Sequence, residues 1–278
     1  MSVCVRSRPR SAPIPGGRSY FLFQSPGASP VLTYLYVPTG LSAGTRVLVV
    51  MHGTLRNAHE YIEGWTAWAE RTDHVVVAPT FDRAAWPGRS GYHLGNVLHD
   101  DCRRGAPNHE ASWAFTVVEA LHDRVRRELC LNDPSFALWG HSAGGQFVHR
   151  FLLFKPRARI RAAIAAGCGW FTVPDLSTAF PYGLRHPRLG FAEEDARRYV
   201  HAPLTLLRGT VDTTRDPHLR TSRAAEAQGP NRYERAGHMH RAAKRLDPDT
   251  SWRLIDIPGL GHDWMGMATV AQALLEAG

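Results

Sequence analysis

The chain predicts an α/β fold on a parallel sheet, and three observations carry that prediction. Apolar runs of about five residues alternate with longer amphipathic stretches, the pattern of strands joined by crossover helices. At 278 residues and 44% hydrophobic, the chain holds one large core and is too short for two ordinary domains with linkers. One apolar run, Phe136-Ala137-Leu138-Trp139, passes straight into Gly140-His141-Ser142-Ala143-Gly144 and then into an apolar helical stretch from Gln146 to Leu153. That is a strand, a tight turn and a helix in succession.

The elements follow in order. The first twenty residues are rich in Arg, Pro, Ser and Gly and have no apolar h-region, so they do not read as a secretory signal. Residues 1–18 are expected to be a flexible tail and 19–278 a single domain. Residues 20–23 and 31–37 read as an opening antiparallel pair. Strands then recur near 46–51, 74–78, 135–139, 161–165, 203–208 and 252–257, and residues 113–121 show helical spacing of apolar side chains. There is no fixed internal repeat and no long low-complexity segment.

Composition excludes several functions. The net charge of +8 comes almost wholly from arginine, with Lys155 and Lys244 the only lysines. These cations are scattered along the chain, without the single basic stripe and interleaved aromatics of a nucleic-acid binder. No stretch approaches the ~20 apolar residues that span a bilayer. Cys4, Cys102, Cys130 and Cys168 form no Cys-x-x-Cys pair and no zinc-type spacing. Cys130 and Cys168 read as small buried hydrophobes; a disulfide stays open, with a reducing cytoplasm the simpler reading. Fifteen histidines include no His-Glu-x-x-His box, and His238-Met239-His240 reads as a solvated helix face. Neither metal nor cofactor is expected, and the oligomeric state is not legible.

Chemistry concentrates at Ser142. A serine on a strand-to-helix turn projects its hydroxyl at the carboxyl edge of the sheet, and the flanking glycines relieve crowding there. Its partners should follow in the order acid, then histidine. The run Leu204-Thr205-Leu206-Leu207 leads to Gly209-Thr210-Val211-Asp212, and the strand at 252–257 leads to Gly261-His262-Asp263. Both lie just past a strand end. His262 is the expected base and then acid, and Asp212 the group that orients it. Asp216 is the rival acid; His238 and His240 are rival bases that follow no strand. Oxyanion donors are expected from the backbone N–H groups of Ala143 and of Thr54, in His52-Gly53-Thr54 behind the run Val47 to Met51.

Three segments make a resemblance specific. His52-Gly53-Thr54, Tyr61, Gly64-Trp65, Trp68-Ala69 and Val75-Val76-Val77-Ala78-Pro79 resemble the opening of the poly(3-hydroxybutyrate) depolymerase-like and feruloyl-type esterases of the α/β-hydrolase superfamily. Gly140-His141-Ser142-Ala143-Gly144-Gly145 and Gly261-His262-Asp263-Trp264 are similar to that group's nucleophile and histidine segments. The likeness covers roughly residues 45–270. It implies an α/β-hydrolase fold, an eight-stranded mostly parallel sheet with helices on both faces, and a Ser-Asp-His triad. The absence of a secretion signal, an appended polymer-binding domain and a paired-cysteine framework departs from extracellular polymer-degrading members.

Two loops are expected to shape the pocket, since loops at the strand carboxyl edge face the ligand crevice. Residues 81–93 offer Trp86 and Tyr92; the stretch from Cys168 to Tyr199 offers Trp170 and Phe171 and is read as a short insert after the sixth strand, at about 170–200, partly covering the site. With His141, these rings are the candidate substrate contacts. Asn231-Arg232 either bind a substrate carboxylate or tie their loop to its neighbours. The expected function is hydrolysis of a small or oligomeric carboxylic ester through an acyl-serine intermediate. The alternatives are a polyester depolymerase, an acyltransferase or peptidase with the same triad, and a non-catalytic hydrolase-fold binder, which should lack a triad member. Serine at 142 excludes a dehalogenase.

Overall fold

Eight strands form one sheet in the computed structural model, which describes residues 15–99 and 105–277. In chain order they are β1 (Gly17–Phe23), β2 (Val31–Val37), β3 (Arg46–Met51), β4 (His74–Thr80), β5 (Phe136–His141), β6 (Ile160–Ala166), β7 (Leu204–Gly209) and β8 (Arg253–Ile257). Their order across the sheet is β1-β2-β4-β3-β5-β6-β7-β8. The β1–β2 and β2–β4 pairs are antiparallel, and every pair from β4–β3 to β7–β8 is parallel. Most of the expected tail lies outside the described residues; its last two positions, Gly17 and Arg18, already belong to β1.

Burial explains the patterning. β5 is buried along its whole length, as a strand covered on both faces must be, whereas β2 alternates and the edge strand β1 leaves Tyr20 and Leu22 exposed. Side chains of β3 divide between two cores. Val47, Val49 and Met51 pack with α2 (Ala114–Glu128), α3 (Ala143–Phe154), α4 (Glu193–Val200) and α6 (Arg232–Leu246). Leu48 and Val50 pack on the other face with α1 (Ala58–Thr72) and α7 (Trp264–Glu276). Between β7 and α6 lies the short α5 (Arg223–Glu226). Helix α1 shows why these segments dock: Ala58, Tyr61, Ile62, Trp65, Trp68 and Ala69 make one buried stripe at helical spacing.

Both described cysteines are free thiols. Cys168 is buried as expected, but Cys130 is exposed, because the chain turns there with φ 54 as it leaves α2. Among the described residues no helix is long and apolar enough to cross a membrane, and no group of His, Cys, Asp and Glu is placed to hold a metal.

Candidate active site

Ser142 sits between β5 and α3 with φ 56 and ψ −113, a conformation that non-glycine residues rarely adopt and that costs on the order of 1–3 kcal/mol. The elbow is held by backbone. The Ser142 N–H donates to the Ala166 carbonyl at the end of β6 (2.8 Å), and the Ser142 carbonyl accepts from Gln146 N in α3 (3.0 Å). The tightness of the turn dictates Gly144: a Cβ there would lie 2.1 Å from the Met51 carbonyl oxygen at the end of β3.

Past the ends of β7 and β8, Asp212 and His262 meet. His262 Nδ1 lies 2.8 Å from Asp212 Oδ2, and Asp212 is 2% exposed. The next residue, Asp263, caps α7 by accepting from Met265 N and Gly266 N, which anchors the loop that carries His262. Asp216 does not reach the histidine: its Oδ2 accepts from Arg232 Nη1 at 2.5 Å, and that hydrogen bond holds its carboxyl down to about 2. The same Arg232 nitrogen stands 3.6 Å from Asp212 Oδ1. Asn231 caps α6 through Glu234 N. The Asn231-Arg232 pair therefore ties its loop to both acids.

The histidine and serine segments converge through a residue the sequence reading passed over. Gly167 follows Ala166 with φ 55, and a Cβ on it would stand 3.1 Å from His141 Nε2 and 3.2 Å from His262 Cε1. Only a glycine leaves room for both rings. The small-residue run Ala165-Ala166-Gly167-Cys168-Gly169 at a strand end is the signal that marks it.

The loop after β3 is pinned from three sides. His52 Nε2 accepts from Phe81 N at 3.1 Å, which makes Nδ1 the donor to the Gly53 carbonyl at 2.9 Å. Burial drives the His52 imidazole down to about 3, so it stays neutral. Arg83 donates to the Thr54 carbonyl (3.1 Å), and the Tyr61 hydroxyl fills the space beside Gly53. Thr54, Ser142 and Ala143 all line one cavity of about 530 Å³.

The five expected substrate contacts divide. Trp170 lines that cavity, its ring backed by the Arg150 guanidinium (4.1 Å) and by Tyr182. Trp86, Tyr92 and Phe171 are instead buried in the core. Trp86 donates to the Pro30 carbonyl and meets Phe81 edge-on. Tyr92 donates to the His52 carbonyl at 2.7 Å and stacks on His52, Phe81 and Phe147. Phe171 is clamped through its backbone N–H and carbonyl by Gln228. Irregular loops have no periodic face to bury, so their rings fill the space beneath them. His141 lies behind His262, ring centroids 4.4 Å apart, with Nδ1 at 3.0 Å from the Tyr61 hydroxyl. Burial, with smaller contributions from His262 and Arg232, holds His141 well below the ordinary histidine range. From the stretch at 170–200 only Trp170 lines the cavity; residues 217–222, unremarked in the sequence, supply the facing wall.

No family model matches the chain, and no curated protein does. Solved structures do. A poly(aspartic acid) hydrolase-1 from Sphingomonas sp. KT-1 is 33% identical, with 94% of this chain and 99% of that one covered at a TM-score of 0.89. LpqC, a poly(3-hydroxybutyrate) depolymerase from Bordetella parapertussis, is 34% identical, with 94% and 90% covered at 0.86. An S-formylglutathione hydrolase from Agrobacterium tumefaciens, at 18% identity and a TM-score of 0.60 over 93% of each chain, shares the fold. With a third of its residues shared along nearly its whole length, the chain belongs to the α/β-hydrolase superfamily, among the serine hydrolases that include poly(3-hydroxybutyrate) depolymerase.

Proposed function

We propose that the protein is a carboxylic-ester hydrolase in which Ser142 is the nucleophile, His262 the general base and Asp212 the acid that orients it. The observation that carries this reading is the 2.8 Å contact of His262 Nδ1 with the buried Asp212. With Nδ1–H donating to that carboxylate, Nε2 keeps its lone pair and can take the Ser142 proton as the hydroxyl attacks. Attack makes a tetrahedral intermediate whose oxyanion accepts from the backbone N–H groups of Ala143 and Thr54, each worth on the order of 10²–10³ in turnover. The imidazolium then protonates the leaving alcohol, leaving an acyl-serine. A water deprotonated by His262 releases the acid and restores the serine.

Arg232 stands between the two acids, its Nη1 2.5 Å from Asp216 and 3.6 Å from Asp212, and its hydrogen bond keeps Asp216 ionised. The Bordetella relative is described as acting on a polyester, which supports the ester bond and leaves a polyester as the narrower substrate. The Sphingomonas relative is described as acting on poly(aspartic acid), whose links are amides, so the test pairs ester with amide.

A fluorophosphonate probe, mapped by mass spectrometry, is expected to give one adduct on Ser142 and none in Ser142→Ala. The same substitution should cost up to about 10⁶ in turnover of p-nitrophenyl esters, by analogy with serine-protease knock-outs. A folded protein without the adduct overturns the nucleophile; cleavage of p-nitroanilides faster than the matching esters overturns the ester assignment.

A further inference from the structure

The lining of the cavity beside Ser142 holds cationic side chains that ester cleavage does not use. Among the described residues three arginines and two histidines line it, and no Asp or Glu does. Arg232 is committed to Asp216 and Asp212. Arg220 is held differently. Its Nε donates to the Tyr182 hydroxyl at 3.1 Å, and that hydroxyl lies 2.6 Å from Ser222 Oγ. This fixes one edge of the guanidinium, and no carboxylate among the described residues pairs with the rest of it.

His93 lines the same cavity. It is 8% exposed, and neither of its ring nitrogens has a hydrogen-bond partner. Gln146, buried in the first turn of α3, likewise turns an unpartnered Oε1 to its surroundings. Buried polar groups without partners are uncommon and call for an explanation. Burial, and then the guanidinium groups of Arg150, Arg56, Arg89 and Arg220, hold His93 well below the ordinary histidine range. At neutral pH it therefore presents one N–H donor and one lone pair.

We infer that the cavity contains a carboxylate subsite, in which the Arg220 guanidinium binds a free acid on the acyl group of the substrate, with the N–H of His93 donating to the same acid and Gln146 Oε1 accepting from a hydroxyl or amide N–H where the chain between that acid and the scissile carbonyl carries one. The substrate class is a monoester of a short dicarboxylic acid, or a polymer unit bearing a side-chain acid. The identification of the bond rests on the ester-hydrolase reading above; the subsite does not. Arginine suits this task because its planar fork matches a carboxylate and its charge does not titrate. Trp170 lines the same cavity beside His93, edge-on at 5.8 Å.

The test compares ethyl butyrate with monoethyl succinate and monoethyl glutarate, and with ethyl 4-aminobutyrate as the cationic counterpart. Initial rates are followed by pH-stat for the wild type, Arg220→Gln and Arg220→Glu. The wild type should favour an acid ester over ethyl butyrate by about 10- to 100-fold in kcat/KM, carried mainly by KM, the range expected of one charge-assisted hydrogen-bonded pair. R220Q should bring that ratio near one, and R220E should move the preference to the ammonium ester. Each ratio is internal to one variant, so a loss of folded protein does not change it. A second arm needs no ester turnover: glutarate, but not uncharged butyramide, should protect Ser142 from fluorophosphonate in the wild type and fail to do so in R220Q. Protection without cleavage of any ester upholds the subsite and overturns the ester reading. Ester cleavage with equal kcat/KM for neutral and acid esters, or with a preference that R220Q and R220E leave in place, overturns the subsite and leaves the ester reading standing.

Discussion

Ser142 and His93 face one cavity from walls built on different principles. Ser142 belongs to the strand-edge wall, where β3, β5, β6, β7 and β8 end together and backbone hydrogen bonds and close glycine contacts set each position. His93 belongs to the loop wall, where positions are set by what lies beneath: Tyr92 beside it is locked into the core, while His93 is left with both ring nitrogens unpartnered. The first wall suits chemistry, which tolerates little displacement of reacting groups. The second suits recognition, since its exposed edge can change without moving the sheet. A substitution on the strand-edge wall should therefore alter turnover, and one on the loop wall should alter preference or stability.

The largest effect that separates the two acids comes from exchanging each for its amide. Asp212→Asn should cost up to about 10⁴ in kcat, as in the serine-protease analogue, because the amide favours the wrong imidazole tautomer. Asp216→Asn should cost under about tenfold, since Asp216 makes no hydrogen bond to His262 and is bonded to Arg232 instead. Active-site titration followed by kcat measurement gives both numbers. The reverse order of losses would reassign the triad acid.

How much of this was legible follows the same division. Strand ends are local features: an apolar run, then Gly140-His141-Ser142-Ala143-Gly144, or an apolar run, then Asp212 or His262, can be read along the chain. All eight strands emerge from such runs. The loop wall depends on contacts between distant segments, and nothing in the order of residues distinguishes Trp86, which packs inward on Phe81, from Trp170, which lines the cavity. Arg220 and Arg232 are equally ordinary as letters. Only their partners, a tyrosine hydroxyl for one and two carboxylates for the other, separate a group open to ligand from one closing a loop.

Buried histidines occur on both sides of the comparison, and acid should expose them. Burial, before any other cause, drives His52 down to about 3 and His74 and His122 to about 4, and pushes His93, His141 and His149 the same way. In the unfolded chain each takes up its proton near 6.5, while the folded state refuses it until far lower pH. The unfolded state thus binds more protons below pH 6.5, and stability falls as pH drops from there toward 4. Each such group contributes at most about 1.4 kcal/mol per pH unit. Denaturant unfolding at pH 7, 6 and 5, above the main carboxylate range, should show a loss of several kcal/mol against a total of about 5–15. A stability that stays flat from pH 7 to 5 would mean that these rings are protonated or solvated in the folded protein. Replacing His93 with Phe should remove one histidine's share of the slope.

The smallest effect bears most directly on where recognition ends and scaffold begins. Tyr92 sits one position from His93, yet its hydroxyl donates to the His52 carbonyl and its ring is sandwiched by His52, Phe81 and Phe147. Tyr92→Phe keeps the ring and deletes the hydroxyl, leaving the buried His52 carbonyl short of a donor. That should cost about 1–2 kcal/mol, a fall in Tm of roughly 2–8 °C for a chain of this size. Because His52 is also pinned by Phe81 N, the loop bearing Thr54 keeps its second anchor, and kcat should change less than about threefold. The ratio of acid-ester to neutral-ester kcat/KM should not move at all. A shift in that ratio, with Tm unchanged, would put the Tyr92 hydroxyl on the ligand side and extend the recognition wall one residue deeper into the loop.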